Sequence, residues 1–171
     1  HNVYGKEFQY TPTSRTNKIH FVATGSLIYR KGFDMFAKAF SLLNLPKDKW
    51  ELKIIGEGEE RTNLQTQIDK YGFSHNIYLI GSKDKTEIAK ILNESDVFVL
   101  PSRNENFSVA VLEALACGLP VVASICGGIR ECINEKNGIL FEVDDVEGLA
   151  TAIKHMYEHL QDYDRQAIAD N

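Results

Sequence analysis

An α/β fold built on a single parallel sheet is predicted by three features of the sequence. Six short apolar runs, rich in β-branched residues, alternate with six segments of helical periodicity. The connections between these segments are short. Parallel strands need crossover connections, and each crossover is right-handed, so this alternation covers both faces of the sheet with helices. The sequence therefore predicts a doubly wound, Rossmann-like sheet with its ligand crevice beyond the carboxyl ends of the strands.

The predicted strands are short, and the helices between them carry apolar stripes. The strands are Ile19–Thr24, Glu51–Ile55, Ile77–Ile80, Val97–Leu100, Val121–Ser124 and Gly138–Phe141. The helices are Phe33–Asn44, Arg61–Tyr71, Thr86–Asn93, Ser108–Cys117, Ile129–Ile133 and Val146–Leu160. In the last helix Leu149, Ile153, Met156 and Leu160 recur at the spacing of one helix face.

The start of the chain differs in character from the rest. Residues 1–18 are polar and irregular, and the chain begins at His1 rather than at a methionine. A chain of 171 residues fits one domain and is long enough to bury a substantial core. We therefore expect residues 1–18 to be a lead-in from an absent N-terminal domain or linker, and residues 19–171 to form one Rossmann-like domain.

Composition narrows the classes of partner and compartment. A hydrophobic content of 43% and a charged content of 25% are typical of a globular protein. The net charge of −5 argues against nucleic acid as a partner, because binding to phosphate backbones needs a basic face. No apolar run approaches membrane-spanning length. Cys117, Cys126 and Cys132 lack metal-site spacing, which indicates buried free thiols in a reducing cytoplasm.

The loop after the first predicted strand suits an anionic ligand. It reads Gly25-Ser26-Leu27-Ile28-Tyr29-Arg30-Lys31-Gly32 and leads into a helix. A glycine lets backbone approach a ligand closely, and a helix N-terminus offers free N–H groups to an anion. Arg30 and Lys31 would then neutralise phosphates. A turn with solvated charges explains this loop, taken alone, equally well.

Two further glycine turns follow the second and fifth strands. The first, Gly56-Glu57-Gly58-Glu59-Glu60-Arg61, resembles the start of a dinucleotide fingerprint. Its third glycine is absent, and the fingerprint belongs after the first strand, so a hydride-transfer enzyme is disfavoured. We interpret its glycines as a tight turn at the cleft edge. The second, Cys126-Gly127-Gly128-Ile129-Arg130-Glu131, adds another loop of close approach to the same edge.

The segment after the fourth strand is an apolar helix that contains a carboxylate. Only Ser108 and Glu113 interrupt its apolar run, and a helix apolar on all sides belongs in an interior. Phe107, Ser108 and Val109 are expected to form the first turn, whose N–H groups have no intrahelical acceptors. Carboxylates are almost never fully buried unless something pairs with them. Glu113 therefore needs either a cation or a polar ligand.

A ligand rich in hydroxyl groups would satisfy this carboxylate. Glu113 lies about a turn and a half into the helix, where its side chain would face the cleft and accept from the hydroxyls of a ribose. The helix start would hold a diphosphate, and Glu105 would lie near a polyhydroxyl group. The predicted ligand is a nucleotide sugar. Alternatively, Glu113 pairs with Arg103 or Lys31, and Glu105 is a surface loop residue.

Other candidate side chains predict no chemistry of their own. His155 and His159 lie four positions apart on the last predicted helix, but no third metal ligand is evident, so a solvated face is the favoured interpretation. Ser102 and Ser124 have no histidine and acid at the spacing of a nucleophilic triad. No metal site is therefore predicted.

These residues resemble the C-terminal domain of the retaining group 1 glycosyltransferases, which have the two-domain GT-B fold. The resemblance runs from about Ile19 to Leu160. Its most specific mark is the pair Glu105 and Glu113 inside Pro-Ser-x-x-Glu-x-Phe-x-x-x-x-Leu-Glu-Ala-x-Ala-x-Gly-x-Pro-Val-Val. Further matching positions are Lys31-Gly32, Gly56-x-Gly58, Gly81, Ser95-Asp96 and Gly127-Gly128.

The resemblance implies a role for each matching residue. Glu113 would bind the ribose of the nucleotide, and Glu105 would contact the transferred sugar. Lys31 would contact the diphosphate and help the leaving group depart. The other residues expected to bind the donor are Gly25, Ser26, Arg30, Gly56, Ser82, Lys83, Asn106, Phe107, Ser108 and Val109. Of these, the loop of Ser82 and Lys83 would lie near the base.

One position departs from the family pattern. Ser26 stands where the family commonly has an arginine directly after the glycine of the first loop. Arg30, next to Lys31, is the candidate to supply that charge from another position. If it does not, diphosphate binding is expected to be weaker than in typical members.

The implied function is transfer of a hexose-type sugar from a nucleotide sugar such as a UDP- or GDP-sugar, with retention at the anomeric carbon and without a metal or cofactor. The acceptor site would lie in an absent N-terminal domain, so the chain alone is expected to be inactive. We expect a cytoplasmic domain, with peripheral attachment of the full-length protein to the inner membrane face left open. Two alternatives are a sugar-nucleotide 2-epimerase of the same architecture and a non-catalytic nucleotide-sugar-binding module.

Overall fold

Six parallel strands form one sheet in a computed structural model that describes residues 7–171. The strands are β1 (Ile19–Thr24), β2 (Trp50–Ile55), β3 (Ile77–Gly81), β4 (Val97–Leu100), β5 (Val121–Ser124) and β6 (Gly138–Phe141). They lie side by side in the order β3-β2-β1-β4-β5-β6, and every neighbouring pair is parallel. The predicted doubly wound sheet is confirmed. Its strand order reverses between β1 and β4, which opens a crevice at their carboxyl ends.

Helices connect the strands and cover both faces of the sheet. They are α1 (Phe36–Leu43), α2 (Arg61–Lys70), α3 (Lys85–Glu94), α4 (Val109–Ala116), α5 (Ile129–Cys132), α6 (Val146–His159) and α7 (Arg165–Asp170). Short 3-10 turns occur at Tyr29–Lys31, Phe33–Met35, Lys47–Lys49 and Leu160–Asp162. Side-chain caps begin several helices, and Asp145 accepts a hydrogen bond from the Gly148 N–H (2.9 Å) at the start of α6.

The observed elements differ from the predicted ones mainly at their ends. β2 begins one residue earlier, at Trp50, and β3 continues to Gly81. The first helix begins as the 3-10 turn Phe33–Met35, because Gly32 adopts a left-handed conformation (φ 75°) immediately before it. The short helix α7 was not predicted. It starts at Asp164, whose side chain accepts from the Ala167 N–H at 3.1 Å.

Each face of the sheet has its own apolar core. Helices α1, α2 and α6 cover one face, where Phe40 stacks on Trp50 with ring centroids 4.0 Å apart. Helices α3, α4 and α5 cover the other face, which includes the fully buried Phe98, Leu100 and Val111. Because both faces are buried, the polar groups that remain available for a ligand lie at the ends of the strands.

The described part of the predicted lead-in packs against the domain. Residues 7–18 contain no helix or strand, yet Phe8 is fully buried in the core beneath α3 and α4. Arg15 pairs with Asp96 at 2.8 Å. Residues 1–6 lie outside the described part of the chain, and the domain boundary at residue 18 stays a prediction.

The three cysteines are free thiols that differ in burial. Cys117 is buried, Cys126 and Cys132 are half-buried, and none of them forms a disulfide. The prediction of free thiols is therefore confirmed for all three cysteines, and the prediction that they are buried is confirmed for Cys117 alone of the three. Burial raises the pKa of the Cys117 thiol to about 12. Across residues 7–171, no helix has the length and apolarity needed to cross a membrane.

Candidate active site

A buried ion pair lies at the carboxyl ends of β1 and β4. Lys31 Nζ lies 3.1 Å from Oε2 of Glu105 and 3.4 Å from Oε1. The two side chains are only 16% and 9% exposed. The alternative in which Glu105 is a surface loop residue is therefore wrong, as is a pairing of Lys31 with Glu113. The pair links the loops that follow β1 and β4, the two strands between which the sheet order reverses.

Two serines support Glu105, Ser102 directly and Ser124 through the backbone of Ser102. Ser102 Oγ donates to Glu105 Oε2 at 2.9 Å, and Ser124 Oγ donates to the Ser102 carbonyl at 2.6 Å. Both serines are buried. Sequence reasoning weighed these serines only as nucleophiles and missed this supporting role. The signal that could have found it is the position of Ser102 three residues before Glu105 in the family motif.

The glycines after β2 make close contact with the loop after β1. A Cβ on Gly56 would lie 1.8 Å from the Gly25 carbonyl oxygen, and one on Gly58 would lie 2.4 Å from the Leu27 carbonyl oxygen. The Gly25 N–H donates to the carbonyl of Ile55 at 3.0 Å. These glycines therefore serve backbone packing at the cleft edge, while donor contacts by Gly25 and Gly56 stay predictions.

Helix α4 begins later than predicted. Phe107 lies outside the helix, and Ser108 has extended dihedral angles and accepts from the Val111 N–H at 3.2 Å. Ser108 is therefore the N-cap, and the prediction that Phe107 and Ser108 belong to the first turn is wrong. Within residues 7–171, no hydrogen bond uses the N–H groups of Phe107, Ser108 or Val109. These N–H groups are available to an anion, as expected.

Helix α4 is also less interior than its composition predicts. Val111 and Ala114 are buried, but Val109 is 47% exposed and Phe107, just before the helix, is 57% exposed. Helix α4 contacts β4, β5 and α7. Its N-terminal end follows β4 and therefore lies at the carboxyl edge of the sheet.

Glu113 is half-buried on α4 and forms no ion pair with any of residues 7–171. Within the described part of the chain, its side chain makes no hydrogen bond and no ion pair. Burial raises the pKa of its carboxyl group, the charge of Lys85 opposes that rise, and Glu7 adds to it. Lys85 begins α3 directly after the loop that holds Ser82, which is exposed, and Lys83, which is half-buried. Lys85, the first residue of α3, is thus a cation whose charge acts on Glu113.

Arg103 is committed elsewhere and does not pair with Glu113. Its guanidinium bonds Asp34 through Nη1 (2.7 Å) and Nη2 (3.0 Å) and Asp144 through Nε (2.6 Å). Both proposed cationic partners of Glu113 are therefore wrong. The two aspartates raise the pKa of Arg103, Asp34 most strongly, against the effect of burial. No pattern in the sequence predicts this three-residue contact.

The two cations of the first loop point in different directions. Arg30 is exposed, and its Nη1 donates to the Asn104 carbonyl at 3.2 Å, whereas Lys31 is turned inward to Glu105. The expectation that Arg30 and Lys31 neutralise phosphates stays a prediction. Ser26 is exposed in the same loop. A contact between either residue and the donor stays a prediction.

The turn after β5 closes tightly on the loop that carries Glu105. Gly127 has φ +56°, and a Cβ there would lie 1.6 Å from the Glu105 carbonyl oxygen. The Gly128 N–H donates to the carbonyl of the exposed Asn106 at 3.2 Å. The predicted third loop of close approach is present, and it supports the backbone on either side of Glu105.

The family of this chain follows from its similarity to known proteins. A model of the family described as glycosyl transferases group 1 matches residues 6–169. The chain is a group 1 glycosyltransferase domain. Curated relatives of this glycosyltransferase domain agree with that assignment. Glycogen synthase of Mycobacterium tuberculosis is 33% identical over 156 residues, which cover 91% of this chain and 38% of the relative.

A second relative, an uncharacterized glycosyltransferase of Haemophilus influenzae, is 31% identical over 153 residues, covering 86% of this chain and 43% of the relative. This glycosyltransferase domain thus spans less than half the length of these curated relatives. The activity of the whole protein is accordingly a matter for proposal.

Solved structures share the fold of this glycosyltransferase domain. The C-terminal domain of a group 1 family glycosyl transferase from Francisella tularensis superposes with a TM-score of 0.82 at 23% identity, over 96% of this chain and 94% of that one. Sucrose-phosphate synthase from Thermosynechococcus elongatus gives a TM-score of 0.83 at 22% identity, over 96% of this chain and 45% of that one. These similarities confirm the predicted fold.

Proposed function

We propose that this chain is the donor-binding domain of a glycosyltransferase that moves a hexose-type sugar from a nucleotide sugar to an acceptor, with retention at the anomeric carbon. Membership of the group 1 family supports a nucleotide-sugar donor. The observation that carries the donor site is Glu113, a half-buried carboxylate that pairs with no cation among residues 7–171. Paired ribose hydroxyls would supply the hydrogen bonds that such a carboxylate lacks.

The order of the groups along the cleft supports a ligand of base, ribose, diphosphate and sugar. The loop after β3 would adjoin the base, and Glu113 would hold the ribose. The open N–H groups from Phe107 to Val109 would bind the diphosphate. Lys31 and Glu105 then lie where the sugar is attached, on the loops after β1 and β4.

Lys31 is proposed to stabilise the departing nucleoside diphosphate. Its ammonium group has three donors, so its contact with Glu105 leaves others for a phosphate oxygen. Fixed donors of this kind, aimed at developing negative charge, are typically worth about 3–4 kcal/mol each. Arg30 and the start of α4 would add to this charge stabilisation. The proposed transfer uses these groups and no metal or cofactor.

The acceptor site is proposed to lie in an N-terminal domain of the full-length enzyme, which would make the present chain inactive alone. We place the domain in the cytoplasm, with peripheral attachment of the parent enzyme to the inner membrane face as an open possibility. Neither feature is needed for donor binding. Binding of the nucleotide sugar is therefore the property that this chain can test directly.

Calorimetric titration of the chain with UDP-, GDP- and ADP-linked sugars is expected to detect binding of at least one donor class. Glu113→Ala should weaken that binding about tenfold or more, because a lost charge-assisted pair of hydrogen bonds is worth about 1.5–3 kcal/mol. Glu158→Ala, which removes an exposed glutamate from α6, is the matched control and should bind normally. Absence of binding to every donor would refute the donor site, and normal binding by Glu113→Ala would refute the ribose role.

The full-length enzyme separates transfer from the two alternatives. NMR of the product is expected to show the anomeric configuration of the donor in a new glycoside. Isomerised donor in the absence of acceptor would instead indicate a 2-epimerase. Donor binding with neither product would indicate a non-catalytic binding module, and an inverted product would contradict retention.

Donor affinity is expected to fall at mildly acidic pH. Burial raises the pKa of Glu113, so this carboxylate takes up its proton at a higher pH than an ordinary glutamate does. The affinity is then fully present above the raised pKa and is lost as the pH falls through it, because the protonated group loses acceptor capacity. Calorimetry across the acidic range checks this. Glu113→Gln should bind weakly with a flatter profile; identical profiles for both proteins would contradict the assignment.

A further inference from the structure

Arg103 uses its side chain to join three strand-end loops. Its Nη1 and Nη2 bond both carboxylate oxygens of Asp34, at 2.7 and 3.0 Å, and its Nε bonds Asp144 at 2.6 Å. Two-pronged contacts of this type are the strong ones between a guanidinium and a carboxylate. The Arg103 side chain is only 13% exposed. Asp34 follows β1, Arg103 follows β4 and Asp144 follows β6, so one guanidinium links the segments after these three strands.

The same residue fixes the backbone just before Lys31. Arg103 Nη1 donates to the Tyr29 carbonyl at 2.6 Å, and its guanidinium stacks 3.9 Å from the centroid of the Tyr29 ring. The Arg103 N–H donates to the Arg30 carbonyl at 2.8 Å. In return, Arg30 Nη1 donates to the Asn104 carbonyl at 3.2 Å. The segment before Lys31 is therefore bonded, residue by residue, to the segment before Glu105.

The backbone of these loops is shaped to permit the contact. Gly32 has φ +75°, and a Cβ there would lie 1.9 Å from the Pro101 carbonyl oxygen. Asp144 adopts φ 61°, a left-handed conformation that aspartate takes up more readily than most residues with a side chain, and it bonds Arg103 from there. We call Arg103, Asp34, Asp144 and Tyr29 the Arg103 clasp.

We propose that Arg103 is a positioning residue that sets where Lys31 presents its ammonium group beside Glu105. The inference rests on the proposed function, because it assigns the clasp to the diphosphate end of the donor site. Arg103 itself does not reach the donor, since its polar atoms are engaged by the protein. Without it, Asp34 and Asp144 lose their shared cation, and the loop of Lys31 loses its fastening to the loop of Glu105.

The clasp acts on one end of the donor site only. Lys31 and Glu105 lie at the diphosphate and sugar end, whereas Glu113 lies on α4 and is electrostatically linked to Lys85. Arg103→Gln is therefore expected to weaken binding of a nucleotide sugar about tenfold. Binding of the matching nucleoside, which lacks the diphosphate, should be unchanged. A purely structural role would weaken both.

Coupling to Lys31 is tested by a double-mutant cycle. If Arg103 acts through Lys31, Arg103→Gln should change nucleotide-sugar affinity by less than about twofold when introduced into Lys31→Ala. Equal effects in both backgrounds, or equal loss of nucleoside binding, would overturn the proposal. Arg103→Lys keeps the charge but not the fork that bonds two carboxylates, so an intermediate loss is expected. Arg15→Gln, which breaks the pair with Asp96 outside the clasp, is the matched control.

A donor-independent measurement keeps this test separate from that of the proposed function. In the free chain, NMR should show a nuclear Overhauser effect between the side-chain methylenes of Lys31 and Glu105. This signal should be lost in Arg103→Gln and kept in Arg15→Gln; its persistence in Arg103→Gln would overturn the clasp. If the wild type binds no donor, the proposed function fails, and this signal alone tests whether Arg103 positions Lys31 beside Glu105. If Arg103→Gln does not fold, Asp144→Asn and Arg103→Lys carry the same measurements.

Discussion

Replacing Lys31 by alanine is expected to lower kcat/KM of the full-length enzyme by roughly two to three powers of ten, the effect of removing one fixed donor worth about 3–4 kcal/mol. Lys31 is the cation that the fold turns into the cleft, where its Nζ lies 3.1 Å from Glu105. The charge that it stabilises develops as the diphosphate leaves, so kcat should fall more than KM rises. Steady-state kinetics with varied donor measure both parameters.

The loss must be separated from a loss of stability. Without Lys31, the buried Glu105 keeps only Ser102 as a side-chain partner among residues 7–171, and breaking a buried pair in this way costs up to about 3–5 kcal/mol. Lys31→Ala/Glu105→Gln removes the uncompensated charge and should recover the free energy of unfolding without recovering activity. Lys38→Ala, an exposed lysine on α1, is the control for charge alone. Near-normal turnover by Lys31→Ala would contradict the assigned role.

The strands could be predicted from the sequence because burial on both faces leaves a continuous apolar signature. Val97–Leu100 and Val121–Ser124 are buried at every position, and both strands have the predicted bounds. The start of the first helix could not be predicted in the same way. Gly32 there takes a left-handed conformation that lets the chain pass the Pro101 carbonyl, a contact set by the fold rather than by local propensity.

The sequence predicts candidate site residues, but their partners within the fold could not be predicted. Glycines and charges after consecutive strands indicate one edge of the sheet, because the carboxyl ends of parallel strands meet there. Lys31 and Glu105 are 74 positions apart, and their contact depends on the strand order and on side-chain rotamers. From the sequence, Arg103 is considered only as a partner for Glu113, whereas in the structure its guanidinium bonds Asp34 and Asp144.

The start of α4 differs from the prediction that follows from its apolar run. That run predicts a first helical turn from Phe107 onwards, but Ser108 is a better N-cap than a helical residue because its hydroxyl group satisfies a free N–H. This shift leaves Phe107 outside the helix and exposed. The consequence for the site is an extended approach to α4, along which the N–H groups of Phe107, Ser108 and Val109 have no partner within residues 7–171.

Gly127→Ala is expected to disrupt the site and to destabilise the domain. Gly127 has φ +56°, where an L residue costs about 1–2 kcal/mol, and its new Cβ would lie 1.6 Å from the Glu105 carbonyl oxygen. The turn after β5 or the loop of Glu105 must therefore move. A loss of this size should lower Tm by at least about 2–4 °C. A shift of the Glu105 backbone would displace its side chain, so donor affinity should fall by about tenfold or more, as calorimetry would measure.

The adjacent glycine provides a control in the same loop, with a different backbone conformation and a looser contact. Gly128 has φ −84°, and a Cβ there would meet the Asn106 carbonyl oxygen at an ordinary 3.6 Å. Gly128→Ala should therefore fold normally and bind donor normally, with a stability change of less than about 1 kcal/mol. The contrast tests the left-handed backbone of Gly127 together with its contact to Glu105, because both substitutions add the same methyl group to the same loop. Equal effects of the two substitutions on donor affinity would show that the Glu105 backbone does not depend on this turn.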